Sequence, residues 1–185
     1  QNQASHLFSV STTNGATTNI IGNSGTANVA VHNSGVGNIT LNSASGNLNL
    51  TRSGPGGTGS GTAVDAANGM IDIAVQAGTL TTESNGGGLL ASADIVLRSN
   101  GALTVNDAIN TPSGAVKLVA GRASGMGGTL NGASLGEGAW GSATGYQLAP
   151  LVVNAAVRSG YSSMNGTIAM YSTGSITQST SLDAG

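Results

Sequence analysis

The sequence predicts an all-β chain, a right-handed parallel β-helix with about 20 residues and two to three short strands per coil and one long loop insertion. Three observations predict it. Apolar and polar residues alternate in short runs, the runs recur at a regular spacing, and glycine or asparagine stands at the end of nearly every run.

The alternation defines the first strand of each coil. "NITLNSASG" from Asn38, "MIDIAVQAG" from Met70, "DIVLRSNG" from Asp94, "AVKLVAG" from Ala115 and "TIAMYSTG" from Thr167 align without gaps. Their second positions are Ile39, Ile71, Ile95, Val116 and Ile168, and their fourth are Leu41, Ile73, Leu97, Leu118 and Met170. Between them lie Thr40, Asp72, Val96, Lys117 and Ala169, a column with no apolar requirement. Side chains two apart share one face of a strand, so each segment reads as a strand with one buried side.

A second strand follows the glycine. "NLNL", "TLTT", "ALTV" and "SITQ" align Leu48, Leu80, Leu103 and Ile176. A third, weaker signal falls on Val64, Leu90, Ile109 and Leu182. The recurring unit is 24 residues from Met70 to Ala93, 21 from Asp94 to Gly114 and 19 from Thr167 to Gly185. Such a period, cut into short strands, is the signature of a solenoid. The corners left between strands are tight, and Gly, Asn and Ser supply the turn conformations they need. One rung cannot bury its apolar face alone; rungs stacked at about 4.8 Å can, and about seven of them make a rod about 30–35 Å long. Right-handed winding follows from the general preference of parallel crossovers.

Two regions break the period. "RSGPGGTGSGT", Arg52 to Thr62, reads as a Gly-rich bulge between strands. From Ala115 to Gly166 there are 52 residues, more than two coils, and Gly121 to Pro150 reads as an insertion. The expected organisation is a single solenoid segment over 1–185: irregular coils over about 1–37, regular coils over 38–120, the insertion over about 121–150 and returning coils over 151–185. Val152, Val153 and Val157 are expected to bring the chain back to the rod.

Composition narrows the partners. Charged residues are 6% of the chain, apolar residues 38%, and 31 positions are Gly. A flexible Gly/Ser linker has a similar composition but not the alternation. A net charge of −2 with five dispersed basic residues lacks the electrostatic footprint of a nucleic-acid binder. No apolar run is long enough to insert into a membrane as a helix. The absence of cysteine excludes disulfides and thiolate metal sites, so stability must come from other sources such as hydrogen-bonded ladders.

"GALTVNDAINTPSGAVKLVAG" and "GSITQSTSLDAG" resemble the repeats of filamentous-haemagglutinin-like exoproteins, adhesins exported by two-partner secretion in Gram-negative bacteria. The resemblance covers about 38–121 and 167–185, with "ALTVN" and "SITQ" after a glycine as its closest echoes. It implies a β-helical stalk on or outside the cell surface that serves attachment or aggregation. The implied partners are a glycan or protein of a host or neighbouring cell, an outer-membrane transporter during export, and further copies meeting end to end. The family's secretion domain carries Asn-Pro motifs, and this chain has no Asn followed by Pro, which favours an internal stalk segment. A self-assembling filament subunit is the alternative, and a polysaccharide-processing β-helix enzyme the minor one.

Catalytic motifs are weak. "GASLG", Gly132 to Gly136, matches the GxSxG pattern around Ser134. A nucleophile elbow needs a strand-to-helix turn and a downstream His, and the two histidines, His6 and His32, lie upstream. The carboxylates Asp65, Asp72, Glu83, Asp94, Asp107, Glu137 and Asp183 form no aligned pair of the kind glycoside hydrolysis needs. Asp72 has Lys117 two rungs away, a weak surface attraction at most. "GGTGSG" from Gly56 resembles a calcium nonapeptide, but Gly61 occupies the aspartate position. Sequons at Asn38, Asn49 and Asn165 are of the kind chance supplies in so Asn- and Thr-rich a chain. No catalytic, cofactor or metal residue is therefore expected.

Aromatic residues are more informative because they are few. Trp140 and Tyr146 lie in the insertion, with Tyr161 and Tyr171 after it. Exposed rings stack on sugars or anchor interfaces, whereas a buried Trp140 would pin the insertion to the rod, and the second reading is favoured. Trp140, Tyr146, Arg122 and Glu137 are the candidate contact residues, because loops on a rigid scaffold are where binding usually resides.

Overall fold

The computed structural model describes residues 7–14, 16–20, 25–43, 46–52, 61–85, 87–121, 129–130, 133–134, 148–162 and 165–185. Among them there is no helix, and the chain winds as a solenoid of stacked parallel strands. The first ladder is a six-stranded parallel sheet of β2 (Ala16–Ile20), β4 (Ile39–Ser43), β7 (Ile71–Val75), β10 (Ile95–Ser99), β13 (Val116–Ala120) and β18 (Ile168–Ser172). The second contains β5 (Asn47–Leu50), β8 (Leu80–Thr82), β11 (Leu103–Val105), β16 (Leu151–Val153) and β19 (Ile176–Gln178). The third contains β6 (Val64–Asn68), β9 (Leu89–Ala91), β12 (Ile109–Thr111), β17 (Val157–Ser159) and β20 (Leu182–Ala184). The chain visits the three ladders in turn, one strand in each, and then begins the next rung.

The long strand β3 (Thr26–Val36) turns the corner between the second and third ladders. Its first half pairs with β5 and its second half with β6, and β1 (Leu7–Thr12) pairs with it in turn. Within the insertion, β14 (Thr129–Leu130) and β15 (Ala133–Ser134) form a short antiparallel pair.

The register of the first ladder follows the aligned columns. Ile39, Ile71, Ile95, Val116 and Ile168 are successive Cα partners, and so are Leu41, Ile73, Leu97, Leu118 and Met170. The upper members of both columns, Ile39 to Val116 and Leu41 to Leu118, are fully buried in one continuous core. A slip of one residue would turn every side chain to the opposite face, so the alternation excludes it.

Three expectations change. The third column contains Leu89 rather than Leu90: Val64 pairs with Leu89, Leu89 with Ile109, Ile109 with Val157 and Val157 with Leu182. With two leucines in succession, alternation must be judged from Ala91, which is buried two positions after Leu89. In the second column Leu151 stands between Leu103 and Ile176, so Leu151 and Val153 return the chain to the core and Val152 faces outward, half-buried.

The first ladder is also not uniformly open on its outer side. Every residue of β10 is buried, and Ala74, Val96, Arg98 and Val119 are 0%, 8%, 4% and 1% exposed. The column expected to lack any apolar requirement is half-buried at Thr40, Asp72 and Lys117 and closed at Val96 and Ala169. Arg98 contributes to this closure: it lies opposite Ala74 and reaches Asp72 on β7, so its aliphatic stem covers the strand it crosses.

The last inward position of several strands carries a small hydroxyl. Ser99 Oγ donates to the Gly78 carbonyl at 3.0 Å, Thr111 Oγ1 to Ala93 at 2.6 Å and Ser159 Oγ to Gly114 at 2.7 Å. Thr82 Oγ1 instead accepts from the Asn106 and Asp107 amides at 2.9 and 3.0 Å. Each of these buried hydroxyls thus finds its partner in a corner backbone group of a neighbouring rung, and none of them is left unpaired.

Candidate functional site

The expected contact residues Trp140, Tyr146, Arg122 and Glu137 lie outside the described residues. So do His6, the Gly56–Ser60 part of the calcium-like stretch, and Gly132, Leu135 and Gly136 of the GxSxG match. Ser134 itself lies on β15, opposite Thr129.

Three of the six described carboxylates have structural partners. Asp72 accepts from Arg98. Asp94 accepts the Ala115 amide at 2.9 Å and sits 3.5 Å from Lys117 Nζ, so the partner of Lys117 is Asp94 and not Asp72. Asp107 accepts the Gly87 and Ala108 amides at 2.8 and 2.7 Å, holding the corner before β12. Glu83 and Asp183 are exposed. Among the described residues no three His, Cys, Asp or Glu side chains come together as a metal site would require.

Asp65 differs. It lies on the outer side of the third ladder, and its Oδ1 is buried with no hydrogen-bond partner. The register places it in an outward column of His32, Asp65, Leu90, Asn110, Arg158 and Asp183. The leucine displaced from the core by the register of β9 thus becomes a surface residue on this face.

Beside this column runs a groove of about 360 Å³ lined by Asp65, Ala67, Leu90, Ser92, Pro112 and Tyr161, among others. Ser92 and Pro112 directly follow β9 and β12 and are equivalent corner positions, and Tyr161 stands two positions past β17, one beyond their equivalent Gly160. Tyr161, 47% exposed, is one of four large apolar side chains left open among the described residues. The other aromatic residue named with it, Tyr171, is half-buried on β18 opposite Val119. Sequence reasoning named Tyr161 without assigning it to a site. What it lacked was the pairing of β9, β12 and β17, which sets Tyr161 in the same groove as Leu90 and Asp65.

A second groove, of about 290 Å³, lies on the second ladder and is polar, with Asn47, Asn49, Thr79, Thr81, Glu83 and Asn106 in its walls. Asn side chains there link neighbouring rungs: Asn49 Nδ2 donates to Asn28 Oδ1 at 3.0 Å, and Asn154 Nδ2 to Asn106 Oδ1 at 2.9 Å. The sequon residue Asn49 therefore has its amide nitrogen engaged in the ladder, and Asn38 accepts the Met70 amide at 3.0 Å.

Compared with protein-family models, with curated proteins and with solved structures, the chain finds no match in any of the three.

Proposed function

We propose that this chain is a right-handed parallel β-helical stalk segment of an exported bacterial surface protein, non-enzymatic, and serving attachment or aggregation. The reading assigns it to the filamentous-haemagglutinin-like exoproteins, and hence to the outside of a Gram-negative cell after passage through an outer-membrane transporter. The observation that carries it is positional. "ALTV" and "SITQ", the stretches behind the resemblance, occupy equivalent places in the second ladder, with Leu103 and Ile176 in one column through Leu151. A repeat whose most characteristic residues fall on equivalent structural positions is one that can be extended rung by rung, as a stalk requires. Right-handedness follows from the crossover preference. Beads coated with the folded chain should adhere to epithelial or bacterial cells, and free chain should compete. Binding no greater than that of albumin-coated beads would refute the attachment reading.

The alternative, end-to-end assembly into filaments, draws on the parallel ladders themselves, in which each strand pairs with the equivalent strand of the next rung. An apolar rung with an open strand edge is a template for further strands. Concentration-dependent fibres in electron micrographs would favour this reading over a monomeric stalk. A polysaccharide-processing enzyme is the minor alternative, and turnover on a polysaccharide panel would establish it.

A further inference from the structure

We propose that the groove on the third ladder is a binding site for one end of an uncharged oligosaccharide, with a pyranose ring stacked on Tyr161 and a sugar hydroxyl donated to Asp65. The proposal deepens the attachment reading and rests on it for its biological use.

The lining specifies the ligand. Tyr161 presents an exposed ring at one end, and Leu90, Ala67 and Pro112 provide an apolar wall beside it. A ligand suited to this wall has a flat face of C–H groups, because an aromatic ring offers a large rigid contact surface at little entropic cost. It must also carry hydroxyl donors. The buried Oδ1 of Asp65 has no partner, so the carboxylate gains from any donor brought to it. Asp65 is half-buried and lines the groove, so a hydroxyl brought there can donate to its carboxylate. Ser92, whose Oγ makes only a 3.5 Å contact to the Gly69 carbonyl, is a second polar group in the same wall. Flat apolar faces ringed by hydroxyls describe a pyranose.

Charge selects the neutral form. Along the outward column Asp65, Arg158 and Asp183 alternate in sign, with His32 beside Asp65. Asp65 is the only charged residue in the groove's lining, so a carboxylated sugar is repelled there, and the apolar and hydroxyl remainder of the wall suits a neutral ring. Size also fits. The groove extends from Asp65 on the rung of β6 to Tyr161 on that of β17, three steps of about 4.8 Å, enough for two or three linked rings.

The test is calorimetric titration of the chain with cellotriose, maltotriose and triacetylchitotriose, with sialyllactose and deacetylated chitotriose as charged controls. At least one uncharged trisaccharide should bind. Tyr161→Ala should weaken that binding about tenfold, as loss of an aromatic contact does, and Tyr161→Phe should not. Asp65→Asn should weaken it less. Because Tyr161 is exposed, its variants should keep the parent's circular dichroism and melting temperature. Absence of binding by all three at about 10 mM, equal affinity of Tyr161→Ala, or equal binding of a charged control would each overturn the assignment. The two readings also fail separately. Beads that attach while every trisaccharide fails leave attachment standing without this groove, and trisaccharide binding with inert beads does the reverse.

Discussion

Arg98 on β10 donates to Asp72 on β7, one rung away and two positions back along the strand, although directly opposite Arg98 stands Ala74. The pair is asymmetric: the Arg98 side chain is 5% exposed and that of Asp72 28%. A cation so enclosed depends on its anionic partner, whereas the anion keeps some water.

Asp72→Asn should therefore destabilise the fold by about 1–3 kcal/mol, between the exposed and the fully buried cases. Adding Arg98→Met should restore part of the loss, since the buried charge is then gone and the stem is kept. A double-mutant cycle on urea midpoints measures this coupling, and strict additivity of the two changes would show that the ion pair contributes nothing.

Packing predicts a graded response along one coil. Leu97 is fully buried, and Leu97→Ala should cost about 2–5 kcal/mol through loss of contact and the cavity left behind. Val96→Thr adds a hydroxyl to an outer position only 8% exposed and should cost about 1 kcal/mol. Thr104→Ala, on a half-buried outward position of β11, should fall within about 0.5 kcal/mol. Urea denaturation of the three variants checks the order. Similar costs at Leu97 and Thr104 would contradict the register.

The inner face was legible because Ile, Leu and Val alternate there with polar residues, and period two decides which positions face inward. The outer face was not. Val96 and Val119 are apolar but stand in columns that carry polar residues on other rungs, and Arg98 is charged, so the chain's pattern does not show that side as closed. Leu90 shows the same limit, because two adjacent leucines leave the phase of a short strand undecided until its partners are known. The hydroxyl positions Ser99, Thr111 and Ser159 look like ordinary polar residues in the chain, and their role depends on corner carbonyls of other rungs. Tyr161 is visible as a rare aromatic, but its neighbours Leu90 and Asp65 lie 71 and 96 residues earlier in the chain, beyond what any local pattern reports.

Gly101 marks the corner between the first and second ladders. Its amide donates to the Gly78 carbonyl at 2.8 Å, and a Cβ on Gly101 would fall within hard contact of that same oxygen. Gly78 below it has φ +145° and meets Gly46 in the same way. The two rungs approach so closely that no side chain fits between them. Gly101→Ala should cost about 1–3 kcal/mol, the usual penalty for overpacking, whereas Ala102→Ser one position on should cost little. Thermal melts of both variants provide the comparison.

The insertion can be removed at a point the register defines. Ala120 pairs with Ser99 and Leu151 with Leu103, so residues 121–150 join two positions that the preceding coil joins with Asn100, Gly101 and Ala102. Replacing 121–150 by Asn-Gly-Ala should therefore give a chain whose ladders remain continuous, with the β-sheet circular dichroism of the parent. Core columns on both sides of the junction are already in register, and shortening a loop lowers its closure entropy. If the candidate residues Trp140, Tyr146, Arg122 and Glu137 carry attachment, the shortened chain should fold and lose adhesion to cells while still binding an uncharged trisaccharide at Tyr161. Adhesion that survives the deletion and falls with Tyr161→Ala would move recognition from the insertion to the third ladder. A shortened chain that fails to fold would show that the insertion is needed by the rod itself.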